Sequence, residues 1–480
     1  MMFISIKFII LLIAAVVIYF YTSLHLFKAV YKASDVIIDE LFHIPQGIAF
    51  CERNFTRWDP KITTLPGLYV ASTIISFFNL DCNTYNLRFV NLLASCMNLV
   101  IFSFLLKFIY GHTGSQIKIV LQAVSLAILP PLYFFSFVYY TETLSLLMLL
   151  IFSISSIVLK SYWLVFLNGG LCVLVRQTNV VWIAMMFGHR VIDLFIRSSR
   201  VYGNQYLNKT AIRRSIIANN IDSSKLKRYY NLSDVFIAVK YHISTCFVNV
   251  FKFLSLSEFV IMFQHALVLL GFVVFVYING SIVVGDKSAH EATLHLPQML
   301  YFLLFYGVFG LPYVLARFSS TLKLISRNKL KVVLLAVLFT AIVHFNTLVH
   351  PYLLADNRHY TFYIWNRWFG KYEYAKYAMI PAYIFLLFSL YDNLRDQNCV
   401  AFLLPYTIAL FLTVGLQKLL DVRYFLVPYL ISRLRFAKSS YKVATFEFLW
   451  YLAINVGMFY VFFNKEVKWV DFNAPQRIIW

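Results

Sequence analysis

The sequence predicts an all-α membrane protein that crosses the bilayer many times. Three observations carry that prediction. Of the 480 residues, 61% are apolar and only 13% are charged, against roughly 45–50% apolar in a soluble domain. The apolar residues fall in runs close to the roughly 20 residues that a spanning helix needs. The charges are sorted by position: 42 Lys plus Arg against 21 Asp plus Glu give a net +21. In a soluble chain that excess would suggest nucleic acid; in a polytopic one it reads as basic residues gathered in cytoplasmic loops. A soluble globule, a disordered chain and a disulfide-dense secreted scaffold are excluded.

The first span runs from Phe8 to about Ala29. It is too long for a signal-peptide core and no A-x-A pattern follows it, so it reads as an uncleaved anchor. Residues 31–87 form the first luminal loop, because 31–64 hold four basic and five acidic residues. Within it, 62–79 (ITTLPGLYVASTIISFFN) is apolar yet carries Thr, Pro, Ser and Asn, and reads as a helix lying in the luminal interface. Further spans are expected near 88–110, 118–138, 143–159, 161–175, 180–196, 258–278, 298–316, 332–350, 376–391, 399–416, 422–436 and 444–463, about thirteen in all. The pieces 161–175 and 180–196 are either two spans or one. Residues 197–245 form a basic cytoplasmic loop, with nine Lys or Arg and two acids over 197–240. Residues 317–331 hold five basic residues and no acid, and fall on the same side. No repeat of fixed period is visible, and residues 1–480 read as a single membrane domain.

The six cysteines contain no CxxC. Cys51 and Cys82 alone share a luminal loop, where a disulfide is sterically open to them; most of the others sit in apolar runs. Dense polar clusters collect on the luminal side: Asp35 to Gln46, Asn54 to Thr64, Gly285 to Glu291, His350 to Tyr363 and Gln417 to Phe425. Two readings fit these clusters, a site for a charged or sugar-like ligand and ordinary interfacial anchoring. Among the 13 Asp there is no D-x-D, and GxGxxG and P-loop patterns are absent. His290 and His295 flank Glu291 but stand five residues apart, about 140° around a helix, so they cannot share a metal from one face. Metal-bridged nucleotide-sugar binding is therefore not signalled, and no cofactor motif is present.

The blocks DELFHIPQ, WDPKITTLPGLY, LRFVNLL, LYFF followed by YYTE, RQTN, GDKSAHEATLHLPQ, LLADNRHYTFYIWNR, QKLLDVRYFLVPY and QRIIW resemble one family. It is the endoplasmic-reticulum α-1,2-glucosyltransferase family that uses dolichyl-phosphate-glucose. The likeness runs from about residue 34 to 480, with the basic loop 197–240 outside it. The resemblance implies a GT-C type fold in the endoplasmic-reticulum membrane with a luminal active site. It implies inverting transfer of glucose from the donor lipid to the 2-hydroxyl of the terminal glucose on a lipid-linked Glc₂Man₉GlcNAc₂ diphosphate acceptor. Where Asp421 stands, Glu is more usual in the family; the charge is kept and the reach is shorter.

Single-step inversion needs a base for the acceptor hydroxyl and charge stabilisation on the leaving phosphate. GT-C enzymes carry an acid in the first luminal loop, which points to Asp39 as the base and Glu40 as the alternative. Arg suits phosphate through its paired donors, so Arg358 and His359, then Arg423 and Lys287, are the donor-phosphate candidates. For each, pairing with nearby Asp356, Asp421 or Asp286 is the structural alternative. His43, Trp58, Asp59, Asp356, Asn357 and Tyr360 are the remaining substrate-binding candidates. Glu142 and Arg176, polar groups in apolar context, read either as a buried brace or as a substrate contact. The implied partners are the two lipid-linked substrates and membrane lipid, not nucleic acid. A transporter or channel-associated protein is the competing class; the absence of an evident repeat or of paired broken helices argues against it.

Overall fold

The computed structural model describes residues 5–110, 115–159, 161–199, 232–287, 292–395, 400–436, 438–469 and 474–480. Its first helix shows why these apolar runs coil. The Ser5 hydroxyl accepts the Phe8 N–H (3.3 Å) and caps α1, Ile6–Ala33. At about 1.5 Å per residue its 28 residues reach about 42 Å, enough to cross a bilayer core. Most of α1 is exposed, as expected of a helix facing lipid, while Phe8, Leu12, Tyr19, Ser23 and Phe27 form the stripe that packs inward.

The chain continues through α2 (Glu40–Cys51), α3 (Gly67–Phe77), α4 (Thr84–Tyr110), α5 (Gln116–Ala127), α6 (Pro130–Phe135), α7 (Thr141–Ile154), α8 (Tyr162–Val175) and α9 (Asn179–Ser198). Later helices include Leu256–Asn279, Pro297–Phe309, Lys329–Phe345, Ile380–Arg395, Val400–Leu410, Leu426–Leu434 and Tyr441–Asn464. Among the described residues the strand content is one short antiparallel pair, Glu466–Val467 with Gln476–Arg477. The all-α polytopic class read from composition is therefore the observed one. Every stretch read as a span contains helix, but among the described residues only six helices are long and apolar enough to cross alone. A seventh arises if Phe318–Arg327 and Lys329–Phe345, bent by 93°, are counted as one.

Hydropathy missed the breaks. Pro130 and Pro131 divide the 118–138 stretch into α5 and α6. Pro312 follows a break at Gly310 in the 298–316 stretch. Wider π turns end the helices at Ser155–Leu159 and Phe411–Gly415. The stretch 161–196 is two helices, α8 and α9, parted at Arg176–Thr178. The interfacial segment 62–79 contains α3, whereas α2 was not anticipated. Of the basic loop, 200–231 lie outside the described residues; the remainder includes helices Leu232–Ser244 and Val248–Phe253.

The connections that carry the polar clusters are laced together at one end of the bundle. Asp286 N donates to Pro60 O (2.7 Å) and Val284 N to Thr63 O (3.3 Å). Gly285 sits between them at φ +68°, where a Cβ would lie 2.4 Å from the carbonyl oxygens of Pro60 and Ile62. No larger residue fits that approach. His295 N reaches Gly415 O (2.8 Å), and Gln298 Nε2 reaches the carbonyls of Gln417 and Leu419. Ile479 N donates to Arg358 O (2.7 Å) and Tyr360 N to Ile479 O (3.0 Å). The Arg477 guanidinium reaches Ala33 O and Phe463 O.

Cys51, at the end of α2, and Cys82, before α4, form a disulfide. Cys96 and Cys172 are buried thiols, as their apolar context suggests. The disulfide closes a loop of 31 residues around α3. A Cys51→Ser/Cys82→Ser double variant should lose about 3–4 kcal/mol of stability, seen as a lower melting temperature in detergent without loss of the helical circular-dichroism signal at low temperature.

Candidate active site

Asp39 and Glu40 are adjacent and have opposite surroundings. Glu40 is fully buried against Arg88 of α4, which is also fully buried. Arg88 Nε and Nη2 donate to Glu40 Oε1 (2.9 Å) and Oε2 (2.6 Å). The Tyr139 N–H (2.6 Å) and the Ile37 N–H (3.0 Å) supply two further bonds to the same carboxylate. Arg88 spends its remaining donors on Ser34 O and Asp35 O. Glu40 thus braces the segment between α1 and α2 with both oxygens engaged, so of the two carboxylates expected as the base only Asp39 keeps an exposed side chain. A buried pair of this kind is held by its geometry, and removing one partner costs about 3–5 kcal/mol.

Asp39, by contrast, keeps its side chain 38% exposed. Its Oδ2 accepts from Arg423 Nη1 at 2.8 Å. Arg423 is itself held by Asp421, whose Oδ2 lies 2.7 Å from Nε and whose Oδ1 accepts the Arg423 N–H (2.8 Å). The shorter reach of Asp421 therefore does not prevent contact; it closes a tight ring two residues long. Glu142, at the start of α7, places Oε1 2.8 Å from Arg176 Nη1 and 4.0 Å from Arg423 Nε. The Arg423 guanidinium also lies over the Tyr140 ring (5.5 Å). Three carboxylates and two guanidiniums from four separate parts of the chain thus meet at the laced end of the bundle.

The electrostatics follow from that geometry. Burial opposes charge on Asp39, but the Arg423 guanidinium outweighs it and holds its carboxyl below the usual carboxylate range. Asp421 behaves likewise: burial opposes its charge, and Arg423 overcomes it. Burial holds the His43 imidazole below its ordinary value against the pull of Asp39 and Glu142, so at neutral pH the ring is uncharged. Its Nδ1 bonds the Tyr69 hydroxyl (2.5 Å).

The other sequence-derived candidates divide by position. His359 bonds Trp480 O through Nδ1 (2.9 Å) and lies close enough to Asp39 and Asp421 to lower both. Arg358, the leading phosphate candidate from sequence, is turned away: Nε and Nη2 grip Asp356 (2.9 and 2.8 Å), and the guanidinium lies 4.0 Å from the Trp469 ring centre. Asn357 joins that unit by accepting Trp469 Nε1–H (2.8 Å). Arg358, Asp356 and Asn357 thus form a self-paired corner, and Arg423 is the arginine that meets Asp39. The Tyr360 ring packs at a tilt against Trp480 (5.0 Å between centres), with its hydroxyl buried. Lys287 is exposed and donates to Asn279 O (2.5 Å), at the edge of the loops. Asp59 accepts the Lys61 N–H (2.9 Å) and shapes its own turn, and Trp58 packs edge-on to Tyr69 and Phe50. Glu142 and Arg176 form the brace that was one of their two readings. Tyr140 was not singled out by sequence; its place in the polar YYTE block was the available signal. His290 and Glu291 lie outside the described residues. Among those described, no group of three or more His, Cys, Asp or Glu is placed to hold a metal ion.

The model of the DIE2/ALG10 family matches residues 33–434. Curated relatives named Dol-P-Glc:Glc(2)Man(9)GlcNAc(2)-PP-Dol alpha-1,2-glucosyltransferase align along nearly the whole chain. The Drosophila melanogaster protein is 40% identical over 95% of this chain and 96% of its own length. The Rattus norvegicus protein is 35% identical over 96% and 97%. The Arabidopsis thaliana protein is 30% identical over 92% and 94%. No solved structure matches the chain.

The carboxylates give the site an acid limit. Because Asp39 and Asp421 are held below their ordinary values, their pairing contributes stability that is fully present above the unfolded value of about 3.9 and is lost as pH falls through the lower folded values. The stability gap between the wild-type protein and Asp421→Asn should be constant from pH 7 to about 5 and shrink below about pH 4, as followed by thermal unfolding in detergent across pH.

Proposed function

This chain belongs to the DIE2/ALG10 family, and we infer that it is a dolichyl-phosphate-glucose-dependent α-1,2-glucosyltransferase acting on Glc₂Man₉GlcNAc₂-diphosphate-dolichol. Both substrates are lipid-linked, which suits a polytopic protein whose polar loops gather at one end of the helices. The competing transporter reading has no support among the relatives, which carry transferase names. We place the protein in the endoplasmic-reticulum membrane with the laced end in the lumen. The basic loop 317–331 supports that orientation, because such loops stay cytoplasmic.

The observation that carries the mechanism is the contact of Arg423 with the exposed carboxylate of Asp39. A phosphate arriving beside Arg423 competes with Asp39 for the same N–H donors. Arg–phosphate pairing is bidentate and charge-assisted, so the donor draws Nη1 away while Asp421 keeps Nε. Asp39 then loses its nearest cation, and its affinity for a proton rises. In that state Asp39 takes the proton of the acceptor 2-hydroxyl as its oxygen attacks C1 of the donor glucose. The C1–O bond to phosphate breaks, the electron pair leaves with dolichyl phosphate, and Arg423 with His359 faces the added negative charge. Attack opposite the leaving group converts the β-linked donor to an α product. Pairing in the empty site keeps the base quiet until the donor is present, which disfavours transfer of glucose to water. His43, uncharged and beside Asp39, is placed to bond sugar hydroxyls without adding charge.

With purified protein, synthetic donor and synthetic acceptor, Asp39→Asn should lower kcat by about 10²–10⁴-fold while the variant stays monodisperse. Arg423→Lys, which keeps the charge but loses the fork, should raise the donor KM more than the acceptor KM. Radiolabelled-glucose transfer followed by linkage analysis checks both; wild-type turnover in Asp39→Asn would remove Asp39 from the chemistry.

A further inference from the structure

The residue before the base is strained. Ile38 has φ +43°, in the left-handed region that a β-branched residue rarely enters. Such a conformation persists only where its surroundings over-determine it, and it gathers at sites where geometry matters. The backbone N–H groups of Glu40 and Leu41 donate to Ile37 O (2.9 Å) and Ile38 O (3.2 Å), and side chains add three further bonds. Glu40 Oε2 accepts the Ile37 N–H (3.0 Å). The Tyr140 hydroxyl accepts the Asp39 N–H (2.9 Å), and the same hydroxyl donates to Ile37 O (3.1 Å). Tyr140 is fixed in turn by Asn91 of α4, whose Nδ2 donates to Val138 O and Tyr140 O, each at 2.7 Å. The Tyr140 ring lies beneath the Arg423 guanidinium and beside the His43 ring (5.9 Å).

We propose that Tyr140 is a positioning residue for the transfer: its hydroxyl clasps the strained Ile37–Asp39 turn while its ring supports Arg423, so one side chain sets the place of both base and phosphate ligand. This rests on the reading of Asp39 as the base. A phenol is suited to the task because its single oxygen both accepts and donates. The ring face, electron-rich and apolar, favours a guanidinium above it. Without the hydroxyl, Ile38 relaxes towards negative φ and Asp39 swings, although Glu40 still anchors the segment. The loss then falls on the chemical step rather than on substrate binding.

The test uses the full-length protein with both lipid-linked substrates. Tyr140→Phe keeps the ring and removes the clasp; kcat should fall about 10- to 100-fold, the range that a misplacement of about 1 Å produces, with both KM values nearly unchanged. Adding Ile38→Asn, a residue that tolerates the left-handed region, should recover most of the loss. A purely structural tyrosine would give a lower melting temperature with unaltered kcat in the folded fraction, and that result overturns the proposal. So does a kcat loss that Ile38→Asn leaves untouched. If Tyr140→Phe does not fold, Asn91→Ala, which releases the turn bearing Tyr140, should show the same kcat-selective loss, and wild-type kcat there overturns the proposal. Asp39→Asn assayed in parallel separates the two readings. Full turnover in it removes the base assignment, whereas inactivity beside a fully active Tyr140→Phe removes only the role of Tyr140.

Discussion

The ion pair between Glu40 and Arg88 is the constraint from which the site is built. Two charges with no exposure to solvent are tolerated only when every lone pair and proton finds a partner. Here the carboxylate takes four N–H donors and the guanidinium satisfies two carbonyls besides. The result ties four elements at one point: the exit of α1, the start of α2, α4 and the buried segment before α7. A backbone fixed on both sides leaves Asp39 one direction in which to project. That direction meets Arg423, brought from the far end of the chain by helices that have no other reason to be polar there. The arrangement converts a costly buried charge into precision at its exposed neighbour.

Much of this was legible in the sequence, and the parts that were not have physical reasons. Membrane character, helicity and the clustering of polar loops follow from hydropathy and charge sorting, which are one-dimensional properties. The Cys51–Cys82 bond was accessible because only those two cysteines shared a loop. Helix interruptions were harder to see, since π turns such as Phe411–Gly415 carry no compositional mark. The division of labour between Asp39 and Glu40 was also hidden. Both residues carry the same charge at neighbouring positions, and only the arrival of Arg88 from α4 distinguishes them. The same holds for the arginines. Arg358 has a carboxylate two residues before it, and so does Arg423. Arg358 is closed off by Trp469, whereas Arg423 stands in the path of Asp39. Local sequence offered two equal Asp-x-Arg pairs, and tertiary contact chose between them.

The electrostatic design also limits what the site can do when empty. Guanidinium and carboxylate neutralise each other at short range, so the open site presents weak charge to passing anions and weak basicity to water. Only a ligand that competes for the guanidinium with comparable hydrogen-bond geometry disturbs that balance. In the proposed reaction the donor phosphate carries such oxygens, and the neutral terminal glucose of the acceptor does not.

The partners Asp39 and Arg423 are separated by 384 positions along the polypeptide. A ribosome adding about 5–20 residues per second needs on the order of 20–80 s to deliver the second after the first. During that interval both cysteines of the opening loop are already made and their disulfide can close, yet the acid has no cation to meet. Enzymatic competence therefore waits on the late helices reaching the bilayer, and a nascent protein stalled before them would be inserted, oxidised and inert.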